Sequence, residues 1–282
     1  IARTRELEAL KANERALQGT IDDLDNERLP LTQREGELQN RQYELEARAT
    51  PAFEQAMFWQ ELRIFLLRLE DLAADGTDRM LAARLATHIG RPDHAVWVAR
   101  RAGADGDILL PDGWPTPYRP PVSSPEPAYI NAITRQESNF DTEAVSGANA
   151  RGLMQLLPST ATLVARRLGT PFQLAQLTAS PETNMRLGAA YLDEMLARYG
   201  GALPLAAAAY NAGPGRVDQW LGTYGDPRGS DVDVIDWIEQ IPFTETRNYV
   251  QRVIENVIVY RAQDPSAAGR AHPLAQYLRR GP

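Results

Sequence analysis

The sequence contains no cysteine, which excludes disulfide frameworks and thiol nucleophiles and suits an oxidising compartment. It has three histidines, His88, His94 and His272, and their spacing matches no metal-ligand pattern. His88 and His94 are expected on helical surfaces, and no metal or cofactor is expected. No apolar run approaches the roughly 20 residues needed to cross a bilayer, so no transmembrane segment is expected. Lysine is missing from Val122 onward, where 14 Arg face 16 Asp plus Glu. With a net charge of −7 for the whole chain, this offers no electrostatic footprint for nucleic acid. The near balance also makes charge a poor main route to an anionic polymer, although single arginines inside a groove still matter. The chain begins at Ile1 without a methionine or a signal-like segment, and is read as a mature or trimmed form. Alternation with period two is almost absent, so the chain reads as all-α.

What is present is a globular composition, 43% hydrophobic and 24% charged, arranged in three parts. Residues 1–51 are polar and helix-favouring. Leu10, Leu17, Leu24, Leu31, Leu38 and Leu45 recur every seven residues, but the companion column (Leu7, Glu14, Ile21, Arg28, Glu35, Gln42) only half satisfies a coiled-coil seam. Pro30 breaks any helix crossing it. Two amphipathic helices near 3–27 and 31–49 are expected, or a segment that self-associates or binds a protein partner. Residues 52–120 are richer in apolar side chains. "AMFWQELRIFLLRLEDL" sets Phe58, Leu62, Phe65, Leu69 and Leu72 on one helical face. "TDRMLAARLATHIG" reads as a helix capped by Thr77 or Asp78 and stopped by Gly90, and "PDHAVWVARRAG" as one starting at a proline and ending at Gly103. Ala82, Ala86, Ala95 and Ala99 suit close antiparallel crossings, as in a helical-repeat array. Seven prolines between Leu110 and Pro127 make an extended connector, pinned to a neighbour by Trp114 or Tyr118.

Residues 121–282 form a further helical domain, with helix signals at 128–137, 159–168, 181–199, 203–211, 214–221, 232–239 and 244–262. Within "ITRQESNFDTEAVSGANARGLMQL" a single acid, Glu137, follows Ile130 and Ile133 at helical spacing on an apolar face. A carboxyl placed there loses hydration, and its pKa rises toward the range a general acid needs. The helix ends at Ser138-Asn139, where a groove can open. Spacing alone also admits a surface ion pair with Arg135 or Arg151.

Four segments narrow the choice. Gln136-Glu137-Ser138, Gly152-Leu153-Met154-Gln155, Ala209-Tyr210-Asn211-Ala212-Gly213 and Ile241-Pro242-Phe243-Thr244-Glu245-Thr246-Arg247-Asn248-Tyr249-Val250 occur in the order and spacing of the soluble lytic transglycosylases. In that family an SLT domain of lysozyme-like fold carries a catalytic Glu-Ser pair. Residues 52–115 resemble the helical linker domain that precedes it in long members; residues 1–50 resemble nothing known. The resemblance implies a superhelical or helical-repeat part before a lysozyme-like domain, located in the periplasm or cell envelope. It implies cleavage of the β-1,4 bond between N-acetylmuramic acid and N-acetylglucosamine in peptidoglycan strands, leaving a 1,6-anhydro end. Glu137 would act as acid and then base, and the sugar's own 6-hydroxyl would replace the second carboxyl that ordinary glycosidases need.

The other motif residues have expected roles beside structural ones. Ser138 is placed near the acid or an acetamido group, or is a plain helix-end residue. Met154 is expected as an apolar wall for a sugar face and Gln155 as an acetamido partner; both also suit loop packing. Tyr210 is expected to bond Glu137 or substrate, beside Asn211 and Ala212. Glu245 and Tyr249 line the groove by resemblance, with helix capping and core packing as the alternatives. Asp141 and Glu143 are read as solvated loop acids. If either faced Glu137, a goose-type lysozyme-like hydrolase would be favoured. A non-catalytic peptidoglycan-binding scaffold is the third reading.

Overall fold

The computed structural model describes residues 18, 19, 34, 37, 57, 58, 60–122 and 124–264. The leucine heptads expected before residue 50 lie outside them, as do the two amphipathic helices expected there apart from residues 18, 19, 34 and 37. The chain forms two compact units, Ile1–Phe65 and Leu66–Pro282. In the first, residues 60–65 are helical. The second is all-α among its described residues, apart from isolated bridges joining Arg151 to Val145 and to Leu156.

The second unit opens with helix α1 (residues 66–72), followed by α2 (Gly76–His88) and α3 (Pro92–Ala104). The cap of α2 is Asp75, not Thr77 or Asp78. A capping residue must be extended (here φ −147°, ψ −179°) so that its carboxylate can accept from the Thr77 and Asp78 amides. Asp78 instead returns a bond to the Ala74 amide at 3.0 Å. Ala82, Ala86, Ala95 and Ala99 are buried, and α2 packs closely on α3. The apolar face expected on the preceding stretch is not the buried one: Phe58, Phe65 and Leu72 are exposed, whereas Leu66 and Glu70 are buried. Glu70 is held by Arg101 of α3 at 2.7 Å, and this pairing fixes the inward face. His94 is also a correction, since it is buried and stacked on Trp97 with ring centroids 5.3 Å apart.

The proline-rich stretch is pinned as expected. Trp114 Nε1 donates to Asn256 Oδ1 (2.8 Å), Tyr260 Oη to the Pro115 carbonyl (3.1 Å) and Arg135 Nε to the Gly113 carbonyl (2.9 Å). Helices α4 (Pro127–Ser138), α5 (Pro158–Arg167), α6 (Gln176–Ala179), α7 (Pro181–Arg198), α8 (Leu203–Ala212), α9 (Pro214–Tyr224), α10 (Val234–Glu239) and α11 (Thr244–Gln263) follow. Six of the helices from α3 to α9 start with a proline in their first two positions, where its missing N–H costs nothing. α8 is the centre of the unit. Ala206, Ala207, Ala208 and Ala209 are fully buried, and their small side chains let α7, α9 and α11 approach. Gly213 then turns the chain from α8 into α9 at φ 87°, a conformation few other residues adopt. α4 lies against α11, and this pairing builds the site.

Candidate active site

The last turn of α4 carries Glu137. Ile130 and Ile133 on its face are fully buried, and Glu137 itself is half-buried. The helix stops because Asn139 and Phe140 take left-handed backbone, φ 55° and 71°, which turns the chain away and leaves the carboxyl at an edge. From α11, Tyr249 Oη donates to Glu137 Oε1 at 2.6 Å. Burial pushes the Glu137 pKa up from 4.5 to about 7; the Tyr249 bond works against that rise and the nearby Glu245 charge adds to it.

Neither arginine considered as a partner pairs with this acid. Arg135 points the other way, under the Trp114 ring at 4.4 Å, and binds Asn256 Oδ1 at 3.0 Å. Arg151 Nε donates to Asn149 Oδ1 at 2.9 Å. Asp141 accepts from the Glu143 amide at 2.9 Å in a loop where Glu143 is exposed, and neither acid acts on Glu137. Glu245, exposed in the first turn of α11, is the acid whose charge reaches it.

The segment Gly152–Gln155 faces this helix end. Ser138 Oγ donates to the Leu153 carbonyl (2.8 Å) and accepts from the Phe140 amide (3.1 Å), so its hydroxyl ties the loop to α4 rather than facing the acid. Met154 has no exposed surface. Its side chain therefore forms no wall of an open groove, because it fills the space that Gly188 of α7 leaves: a Cβ there would lie 2.5 Å from Met154 Sδ. Tyr210 Oη donates to the Met154 carbonyl at 2.8 Å, not to Glu137. The tyrosine that bonds the acid is Tyr249, a pairing no motif spacing could reveal.

The two amides of the motifs are each oriented from within. Gln155 Nε2 donates to the Ala144 carbonyl at 3.0 Å and the Gly152 carbonyl at 2.9 Å. Asn211 Oδ1 accepts from Thr246 Oγ1 at 2.7 Å. Ala212, beside it, is half-buried. Thr246, which the sequence reading passed over, lies in the fourth motif one residue after Glu245 and is buried.

Comparison with known proteins shows what the chain is similar to. The family model described as "Transglycosylase SLT domain" matches residues 123–232. The soluble lytic murein transglycosylase of Salmonella typhimurium is 39% identical over 135 residues, 48% of this chain and 20% of that protein. The crystal structure of the 70 kDa soluble lytic transglycosylase of Escherichia coli superposes with a TM-score of 0.61 at 31% identity, covering 77% of this chain and 37% of that one. A lytic transglycosylase Slt of Pseudomonas aeruginosa, solved as an inactive glutamate-to-glutamine variant, gives 0.57 at 38% identity, covering 70% and 31%. The chain thus spans between a fifth and about two fifths of the length of these proteins. Among the described residues, the all-α, lysozyme-like arrangement expected from the sequence is the one observed.

Proposed function

Because the chain carries a domain of the transglycosylase SLT family, we propose that it is a peptidoglycan lytic transglycosylase in which Glu137 performs both proton transfers. The observation that carries the reading is a half-buried carboxyl, held by Tyr249, with no cation beside it among the described residues; burial pushes its pKa up to about 7. Such a group is protonated often enough to act as an acid near neutral pH and ionised often enough to act as a base. Glu137 gives its proton to the oxygen joining N-acetylmuramic acid to N-acetylglucosamine. The C1–O bond breaks, and the departing sugar keeps that oxygen as its 4-hydroxyl. The 2-acetamido oxygen stabilises the positive charge at C1. The Glu137 carboxylate then removes the proton of the muramoyl 6-hydroxyl as O6 bonds to C1, closing the 1,6-anhydro ring and restoring the acid.

The internal bonds of the two amides support an acetamido-reading site. With both amide hydrogens of Gln155 committed to backbone carbonyls, its Oε1 is left as an acceptor. With Asn211 Oδ1 taken by Thr246, its Nδ2 is left as a donor. An acetamido group offers one N–H and one C=O, the complement of this pair. Tyr249 holds one oxygen of Glu137, so the other carries the working proton. We assign this site to a catalytic domain over 121–282, preceded by a helical linker domain over 52–120, acting in the periplasm or cell envelope.

The test is mass spectrometry of soluble products from purified peptidoglycan, with Glu137→Gln in parallel. Wild-type products lighter than hydrolytic muropeptides by one water, without reducing muramic ends, are expected. Reducing ends would reassign the chain as a hydrolase and direct attention to Glu245, the acid that reaches Glu137. Binding without products from either form would make it a scaffold.

A further inference from the structure

The turn Gly152–Gln155 has left-handed backbone at both ends, φ 72° at Gly152, which a glycine adopts freely, and 45° at Gln155, where it is strained. A conformation of this kind persists only where its surroundings over-determine it. Ser138 holds it from α4 and Tyr210 from α8, as described above, and a third hold comes from α7. Asn184 sits there with no exposed surface, flanked by the buried Met185 and Leu187. Its Oδ1 accepts from the Met154 amide at 2.8 Å, and its Nδ2 donates to the carbonyls of Arg151 and Leu177, both at 2.9 Å. The partners are one donor and two acceptors, which fixes the amide's orientation and fully uses its two hydrogens. No side chain at Gly152 fits between these groups, because a Cβ would lie 1.9 Å from the Leu177 carbonyl oxygen and 2.4 Å from Asn184 Nδ2.

Asn184 thus binds the chain immediately before Gly152 and immediately before Gln155. We propose that Asn184 is a positioning residue: it fixes the turn so that the Gln155 carboxamide oxygen and the carboxyl of Glu137 meet the same sugar unit. The inference rests on the proposed function above, since it acts through Gln155 on the substrate and not on the proton transfers. Glu137 is tuned by its own burial, Tyr249 and Glu245, and the bonds of Asn184 go to neither of those two residues. Loosening the turn therefore weakens substrate placement while leaving the titration of the acid in place.

Two variants separate positioning from mere support. Asn184→Asp is nearly isosteric and keeps an acceptor for Met154 N–H, but it sets an oxygen against two carbonyl oxygens. Asn184→Ala removes all three bonds. Each is assayed per folded molecule, using circular dichroism to count the folded fraction. The expected result is a fall in kcat/KM of about 10- to 100-fold, the range a displacement of about 1 Å produces. KM should carry the larger share, and the pH midpoint of the rate should match wild type. In a Glu137→Gln background, affinity for N-acetylglucosamine tetramer should fall in parallel on adding Asn184→Asp. Wild-type kcat/KM in the folded fraction of either variant, or unchanged tetramer affinity, would overturn the proposal. A shifted pH midpoint would also overturn it, by showing that Asn184 acts on the acid. If wild type itself releases no product, the proposed function has failed, and the tetramer measurement alone then judges Asn184.

Discussion

Two charged side chains of one helical turn, Arg135 and Glu137, are both starved of water, with opposite results. Positions two apart on a helix face away from each other, so one turn of α4 serves two environments. On one side Arg135 is buried beneath Trp114, and its pKa is lowered by burial to about 10. On the other, burial lifts Glu137 to about 7. Desolvation pushes each toward its neutral form, but Arg135 starts so far from neutrality that it stays charged and structural. Glu137 starts close enough to be brought to the working pH. What separates a fixed cation from a titrating acid here is the starting pKa and the neighbours, and burial is common to both.

The largest predicted effect strikes the acid. Glu137→Gln should lower the rate of product release by about 10³-fold or more, measured on purified peptidoglycan. The same change should stabilise the fold above neutral pH. A raised carboxyl pKa leaves stability whole below about pH 4.5 and erodes it as pH climbs through about 7, because the unfolded chain ionises first. Denaturant titrations at about pH 8 should therefore show a gain of about 1–3 kcal/mol for the variant and, at about pH 4, little difference.

On the opposite face, Arg135→Ala should cost about 2–4 kcal/mol of stability, since it strips a bond from the Gly113 carbonyl and the cation from Trp114. Thermal unfolding measures this. The pH midpoint of the remaining activity should stay where it was, and a shift would show that the two faces are coupled after all.

Smaller changes sharpen the acid's side. Tyr249→Phe removes the hydroxyl that stabilises the Glu137 carboxylate, so the alkaline limb of the pH–rate profile should move to higher pH. Glu245→Gln should move it the other way, because a negative neighbour is lost. That shift should be the smallest of the set and should shrink as salt is added, since Glu245 is exposed.

Much of this fold could be read in advance because helix starts and stops are marked by local chemistry. Pro127, Pro158, Pro181 and Pro214 open helices where they were expected, and Ser180 caps α7 through the Thr183 amide. Glu137 was legible for the same reason: its face follows from spacing to Ile130 and Ile133. What escaped depends on contacts distant in sequence. Tyr249 and Glu137 lie 112 positions apart, and Asn184 and Met154 lie 30 apart. Asn184 left one faint signal, an amide four residues before Gly188 on the buried stripe of α7, but its use is visible only with the loop in place. Met154 and His94 were misplaced because a side chain's chemistry suggests a contact without saying how deep it lies.

The most direct test of this account is a titration of the Glu137 carboxyl itself, by carbon-13 NMR of glutamate-labelled protein, with Glu137→Gln identifying the resonance. One carboxyl turning over near pH 7 and missing from the variant is the predicted result. If every glutamate instead titrates in the ordinary range near pH 4.3, burial has not prepared this acid, and the single-carboxyl mechanism loses its basis.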